Sequence, residues 1–584
     1  MKRFLLLLLA SAFLATSCDK SEAPEIPPTP PPDVPEQPEI SLDRAEPVYS
    51  TKVNEPLLLA PIVTNAGNNP SYRWAIEDET VGEEASFTFV GTEKGSVYIT
   101  FEVIAEHGRA DIELRVDVMP LKFPAITMFI PPNGFSILAG AELPLTPEVN
   151  NAEETLFEWT VNGAAVSADK DYTFTETEPG DYTVKFTASN DDGTDFKEFN
   201  VKVCTEEQMS FEWAFEQTAF NVSIGRTVFI RPYRVENEFD AVYTWKVNGE
   251  EVDAPWVDTQ YAGPAPACLF AFTPPAQGEH IVEVTMTNSY KTVSQEFTVN
   301  CCPSEGTYRR TAAGSAKWSK VYEFLAAPGQ FVNKNYTAMD MAAACSYAGG
   351  RMDEDAYVSL GAFGGYIVVG FDHSISNDGG YNIQINGNSF TGSSEPGIVW
   401  VMQDENGDGQ PNDTWYELKG SEYGKSGTRL DYAVTYYRPA APALPVMWTD
   451  NEGGSGQVDY MIAYHRQDYY YPLWVGNDSY TLIGRKLESR TEMVSINYWI
   501  FHDFDWGYAD NFSFTDRLTD DANSVASMNS NHFKISDAVT YDGTPANLGY
   551  VDFVKVQTAL QTKANRLGEN STEVFGVNDF NMLK

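Results

Sequence analysis

Two stretches 86 residues apart, Phe157-Glu-Trp159-Thr-Val-Asn-Gly163 and Tyr243-Thr-Trp245-Lys-Val-Asn-Gly249, share the pattern that decides the fold. In each, an aromatic residue and a tryptophan alternate with other residues, the period of a strand with one buried face. Val-Asn-Gly then reads as that strand entering a tight turn, because asparagine and glycine tolerate the left-handed backbone of a two-residue hairpin. An earlier stretch, Tyr72-Arg-Trp74, carries the same aromatic pair 85 residues before Trp159.

Working outward, each copy continues with a turn glycine and an alternating strand. Gly95 leads into Val97, Ile99, Phe101 and Val103; Gly180 into Tyr182, Val184, Phe186 and Ala188; Gly278 into Val282, Val284 and Met286. Each copy closes on another period-two run: Ile112 to Val118, Phe199 to Val203, then Phe297 and Val299. Short strands at this spacing predict antiparallel sandwiches with the tryptophan in the core, over residues 41–120, 121–205 and 206–302. The third copy has 33 residues from Trp245 to Gly278, against 21 in the other two. That insertion, with Cys268 and several prolines, reads as an extended loop.

These copies resemble PKD-like immunoglobulin-type domains through the aromatic-x-Trp strand and the run Gly180-Asp-Tyr-Thr-Val-Lys-Phe186. The resemblance implies modules that space or present another domain.

The N-terminal residues point to export. Lys2 and Arg3 precede an apolar run at residues 5–9, and small residues lead to Ser17-Cys18. Charged, apolar and small-residue zones in that order make a signal peptide at residues 1–17, too short to span a bilayer as a mature helix. The ending resembles a bacterial lipobox, which implies acylation of Cys18 and a membrane anchor. Eight prolines between Pro24 and Pro38 make residues 18–40 an extended stalk. The patch Asp19-Lys-Ser-Glu22 resembles the surface-export signal of Bacteroides-type lipoproteins, so the expected location is the outer membrane, facing outward.

Composition narrows the partners. A net charge of −44 repels nucleic acid, which is excluded as a ligand. Beyond Cys18 there are five cysteines, an odd number. A bridge from Cys268 to Cys301 or Cys302 is expected, with no zinc spacing.

Residues 303–584 change texture, with dense tyrosine, glycine and aspartate and no continuing repeat. Short apolar strands such as Tyr366-Ile-Val-Val369 and Gly397-Ile-Val-Trp-Val401 predict one large jelly-roll-like β-sandwich, so the whole chain is expected to be all-β. One short helix is expected around residues 338–348, with Thr337 as cap, Asp340 three residues on and Gly349 as the stop.

The most specific chemical motif lies here: Asp404-Glu-Asn406-Gly-Asp408-Gly-Gln410-Pro-Asn412-Asp413. Alternating oxygens, a glycine at position six and a carbonyl at seven match the first half of an EF-hand-like loop. Asp404, Asn406, Asp408, Gln410 and Asp413 are thus candidate calcium ligands. Position twelve is Trp415 in place of a bidentate glutamate, so the ligand set must close differently. Aromatic residues nearby, Trp415, Tyr416, Tyr470, Trp474 and Trp506, are candidate ligand-binding residues, since such rings stack on sugars and flat apolar ligands.

No catalytic residue is identified. Six histidines are scattered without a His-x-x-x-His pair; His373 and His502 each have a neighbouring aspartate. Gly453-Gly-Ser455-Gly-Gln457 misses the last glycine of a nucleophile elbow.

Stretches through residues 318–577 resemble a family of Bacteroides-type surface proteins that carry PKD-like domains ahead of this region. Among them are Leu360-Gly-Ala-Phe-Gly-Gly-Tyr366, Asn412-Asp-Thr-Trp-Tyr-Glu-Leu418 and Asp505-Trp-Gly-Tyr-Ala-Asp510. The resemblance implies an accessory lipoprotein of outer-membrane nutrient uptake, for corrinoids or glycans, working with a transporter. The leading expectation is a non-catalytic binding protein. A surface glycan hydrolase using carboxylates near residues 395–417, and an adhesin, are the alternatives.

Overall fold

The computed structural model describes residues 37–584 except 132, 153, 255–267, 304–307, 310–313, 496–497, 519–528 and 565–566. The signal segment, Cys18 and nearly all of the stalk lie outside the described residues, as does most of the insertion after Trp245. The chain separates into two compact units. One holds the first repeat, up to Phe123, with Asn190–Gly193; the other holds the remainder of the chain. Among the described residues no helix is long and apolar enough to cross a membrane.

Each repeat builds a five-stranded sheet in one order, with the first strand pairing in parallel to the last. In the first repeat the order is Val48–Lys52, Gly108–Met119, Gly95–Ala105, the tryptophan strand Ser71–Ile76, then Glu79–Gly82. The second repeats it with Phe135–Leu138, Gly193–Cys204, Gly180–Asn190, Leu156–Val161 and Ala164–Ser167. The third uses Ala219–Ser223, Thr292–Cys302, Gly278–Thr287, Val242–Val247 and Glu250–Val252. A smaller strand pair accompanies each sheet, for example Val228–Ile230 with Phe270–Phe272. Trp74, Trp159 and Trp245 are buried in the resulting cores. All three repeats are therefore immunoglobulin-like sandwiches.

The turn chemistry explains the shared Asn-Gly. Asn162 and Gly163 have φ of 49° and 80°, and Asn248 and Gly249 have 52° and 85°, a type I′ turn. Each asparagine Oδ1 also accepts a bond from the next strand, from the Thr183 and Ile281 amides at 2.9 Å. Glu77 and Asp78 hold the same left-handed backbone in the first repeat without either residue.

The C-terminal region is a sandwich with an added sheet. Its main layer is antiparallel, ordered Lys320–Leu325, Tyr366–Ser376, Tyr550–Thr558, Gly397–Met402, Trp415–Leu418, Ala538–Val539. The second layer is Asn529–Phe533, Ile383–Gly387 and Gly576–Asp579. Ile367, Val399, Val401, Val554 and Val556 from the first meet Ile383, Ile385 and Val577 from the second in one core. A third sheet, Ser455–Val458, Val446–Asp450, Arg429–Tyr437 and Ser479–Lys486, has a core of its own around Tyr432, Tyr436 and Leu482.

Two local expectations are corrected. The helix is Met341–Asp353, and its cap is Asp340, whose side chain accepts from the Ala343 amide, in place of Thr337. Gly349 does not stop it; it lies inside the helix, which runs on to Asp353. The expected disulfide is absent: Cys204, Cys268, Cys301, Cys302 and Cys345 are all free thiols. Cys268 acts electrostatically on Tyr243, at the end of its sheet where Tyr243 pairs with Met286, while Cys301 pairs with Gly278. Eight residues of strand, roughly 26 Å, separate those two rungs.

Candidate functional site

The third immunoglobulin-like domain is bonded to the sandwich along a seam. Arg231 Nε and Nη2 donate to both carboxylate oxygens of Asp431 at 2.9–3.1 Å, and the Tyr541 hydroxyl donates to the same carboxylate at 2.8 Å. Burial alone would raise the Asp431 carboxyl, but the guanidiniums of Arg231 and Arg485 outweigh it and hold it below the usual range. Further along, the Ser223 amide donates to Glu405, the Thr414 hydroxyl to the Asn221 carbonyl, and the Asn451 amide to the Tyr233 carbonyl.

Between these contacts lies a cavity of about 140 Å³. Phe220, Phe229 and Arg231 line it from the immunoglobulin-like domain; Trp400, Trp415, Glu417, Arg485, Tyr541 and Lys555 line it from the sandwich. Strand alternation explains the floor. Val554 and Val556 enter the core, so Lys555 must face the other way, and Trp400 and Glu417 follow it across the sheet in register.

The wall is a ladder of alternating cations and rings. Arg231 lies 3.9 Å from the Tyr541 ring centre, Arg485 lies 5.7 Å from both Tyr541 and Trp400, and Lys555 lies 5.2 Å from Trp400 and 5.0 Å from Trp415. These are cation–π distances. Arg231 has Asp431, and Arg485 has Glu417, hydrogen-bonded at 2.5 Å with both side chains buried. Lys555 makes no ion pair or hydrogen bond among the described residues. Burial lowers its ammonium, against the pull of Glu216 and Glu323.

The sequence-derived aromatics divide. Trp415 and Tyr416 line this cavity. Tyr470 and Trp474 do not reach it: Tyr470 is fully buried and bonds the His465 carbonyl, and Trp474 donates to the Phe324 carbonyl from inside the core. Trp506 lines a separate cavity of about 220 Å³ with Tyr381, Asp516 and Lys534. Trp400, Arg485 and Lys555 were missed. A lysine between two valines of a core strand was the available signal.

The 404–413 loop closes on itself. Asp404 accepts from the Gly409 amide at 3.0 Å, Asp408 from Gln410 at 2.8 Å, and Asp413 from Glu405 at 3.1 Å. Gly407 and Gly409 take φ of 77° and 72°, which the tight winding requires. One oxygen each of Asp404 and Asp413 is buried without a hydrogen-bond partner. Gln410 contributes its amide to Asp408, and Asn406 turns its amide toward Asp408 and Asn412.

A second acidic group, Glu395, Asp510 and Glu573, brings carboxylate oxygens within 4.8 Å of one another. Burial, then their mutual repulsion, raises Asp510 to about 7 and Glu573 well above the carboxylate range. Glu395 and Glu573 are hydrogen-bonded to each other, which calls for a shared proton. His373 is held between Asp372 and Asp579 at 2.7 and 2.9 Å. His502 pairs with Glu492, not with its neighbour Asp503. Both of these histidines thus have a structural partner.

Residues 37–105 and 123–190 match the PKD-like domain family. No curated protein matches the chain in sequence. Among solved structures, the chain is similar to a three-domain I-band fragment of titin, at 13% identity over 45% of this chain and 98% of the fragment, with a TM-score of 0.21. It is also similar to fibronectin(III)-like modules of Clostridium thermocellum CbhA, at 12% identity over 30% of this chain and 98% of the modules, TM-score 0.18. Extracellular domains 3–5 of Drosophila OTK give 12% identity over 44% and 94%, TM-score 0.16. With its sheets and its sequence match together, the N-terminal half of the chain is a tandem of immunoglobulin-like domains that includes PKD-like ones.

Proposed function

We propose that this protein is a non-catalytic binding protein, held outside the cytoplasm by a lipid on Cys18. In this reading it captures a small ligand between its third immunoglobulin-like domain and its C-terminal sandwich. The observation that carries it is the two-walled cavity, fixed by the Arg231–Asp431 clasp and lined with aromatic rings and polar groups. Its volume is close to the roughly 150 Å³ that accommodates one six-membered ring. That favours a sugar ring of a glycan over a whole corrinoid. The carboxylates Glu417 and Asp431 are committed to Arg485 and Arg231, which favours binding over hydrolysis. The resemblance to surface lipoproteins supports delivery of the ligand to an outer-membrane transporter.

The test is a glycan and monosaccharide screen on the full chain. Saturable binding without turnover, weakened by Trp415→Ala, is expected; turnover, or binding indifferent to Trp415, overturns the reading. Palmitate labelling that survives Cys18→Ala overturns the anchor.

A second reading concerns calcium on Asp404, Asn406, Asp408, Asp413 and the Gln410 carbonyl. It is supported by the two buried, unpartnered carboxylate oxygens at the loop's ends. Calcium takes six to eight oxygens, and these are oxygens with nothing else to bind.

A further inference from the structure

Three cations stand on the cavity wall, each against aromatic rings, and two of them have carboxylates. Arg231 is paired with Asp431 and Arg485 with Glu417, whereas Lys555 has none among the described residues. Glu216 and Asp413 also line the cavity, yet neither reaches ion-pair distance of the Lys555 ammonium. The rings of Trp400, Trp415 and Tyr366 surround that ammonium at 5.0–5.5 Å. The Trp400 indole nitrogen and the Gln557 side-chain oxygen beside it are also buried without partners. Glu216 and Glu323 attract the ammonium only from beyond ion-pair distance, so a half-buried charge on the cavity wall is left with no direct partner and calls for a reason.

We propose that the ligand supplies the missing anion: the cavity takes a small acidic molecule whose carboxylate pairs with Lys555 while its ring lies against Trp400 and Trp415. This rests on the proposed binding role and adds the ligand's chemical class. Two sources share that chemistry, a uronic acid and an aromatic carboxylic acid. A charge-assisted bond in a site shielded by aromatic rings discriminates between an acid and its neutral analogue more strongly than ring stacking does.

The experiment is saturation-transfer difference NMR on the full chain with galacturonate, benzoate and galactose as separate probes. Wild type is expected to bind galacturonate or benzoate more tightly than galactose. Lys555→Met should weaken the acid by about tenfold or more and leave galactose unchanged, while Lys555→Arg retains most of the affinity. Galacturonate against benzoate tells which acid is preferred. Because Lys555→Met removes a partly buried charge that makes no ion pair, the ligand-free variant should melt at or above the wild-type temperature, which separates lost binding from lost folding. Galactose binding as tightly as both acids, or an acid retaining its affinity in Lys555→Met, overturns the proposal but leaves the binding role standing. Binding of none of the three probes overturns the acidic class, while the glycan screen judges the binding role by itself.

Discussion

Arg231 and Asp431, 200 residues apart, join the third immunoglobulin-like domain to the sandwich through three N–H···O contacts, with Tyr541 bonded to the same carboxylate. The two side chains keep 25% and 20% of their surface exposed, because the cavity reaches them. Removing one partner of a sealed pair costs about 3–5 kcal/mol, so Arg231→Ala should cost less, about 2–3 kcal/mol. A denaturation cycle with Asp431→Ala checks this. Additive single effects would mean the pair does not couple the domains.

The same pair sets an acid limit. The folded carboxyl of Asp431 is held below its unfolded value, so its contribution is complete above about pH 4 and is lost as pH falls further. Seam integrity, followed by hydrogen exchange of residues 228–236, should persist at pH 5 and fail in stronger acid. Loss of protection already at pH 6 would contradict this.

The buried acids act in the opposite direction. Asp510 is raised to about 7 and Glu569 to about 8, both first by burial, so the folded chain holds protons that the unfolded chain releases above about pH 4. Stability should therefore fall as pH rises from 5 to 8, and Glu573→Gln should flatten that fall. A melting temperature that rises across this range would refute the assignment.

The sheets were readable in the sequence and the cavity was not, for a physical reason. Trp74, Trp159 and Trp245 recur because each plugs the core of a separate domain, and Asn-Gly recurs because a I′ turn needs left-handed backbone. Such demands are local and leave a period. The cavity draws on Phe220, Trp400, Arg485 and Lys555, which meet only when two domains dock. Tyr470 and Trp415 look alike in sequence; only tertiary packing sends one to the core and the other to the cavity wall.

Trp159 tests the local half of that statement. It is fully buried, stacks on Phe186 at 4.5 Å and donates to the Lys170 carbonyl at 3.2 Å. Trp159→Ala should cost about 3–5 kcal/mol. In a chain of several domains this should lower the calorimetric transition that contains the second domain, and a scan unchanged from wild type would contradict it.

Calcium offers the sharpest test of the 404–413 loop. Asp404 and Asp413 each use one oxygen on a backbone amide of the loop and keep a second one buried and unbonded. A calcium ion would bind those oxygens and replace the Asn406–Asp408 contact that now fills the loop. Glu405 and Asn412, in the same turn, also hold Ser223 and Asn221 of the third domain. Ordering the loop should therefore tighten the seam. A ligand at a hundred times its Kd adds about 2.7 kcal/mol, so calcium should raise the melting temperature by several degrees and chelation should reverse it. Magnesium should do less, since it demands shorter, near-octahedral coordination. Asp408→Ala should abolish the calcium response without unfolding the chain, because Asp408 lies on the exposed side of the loop. Calcium should also slow hydrogen exchange at residues 219–223. If calcium, chelator and Asp408→Ala all leave the melting temperature unchanged, the loop is a hydrogen-bonded turn and binds no metal.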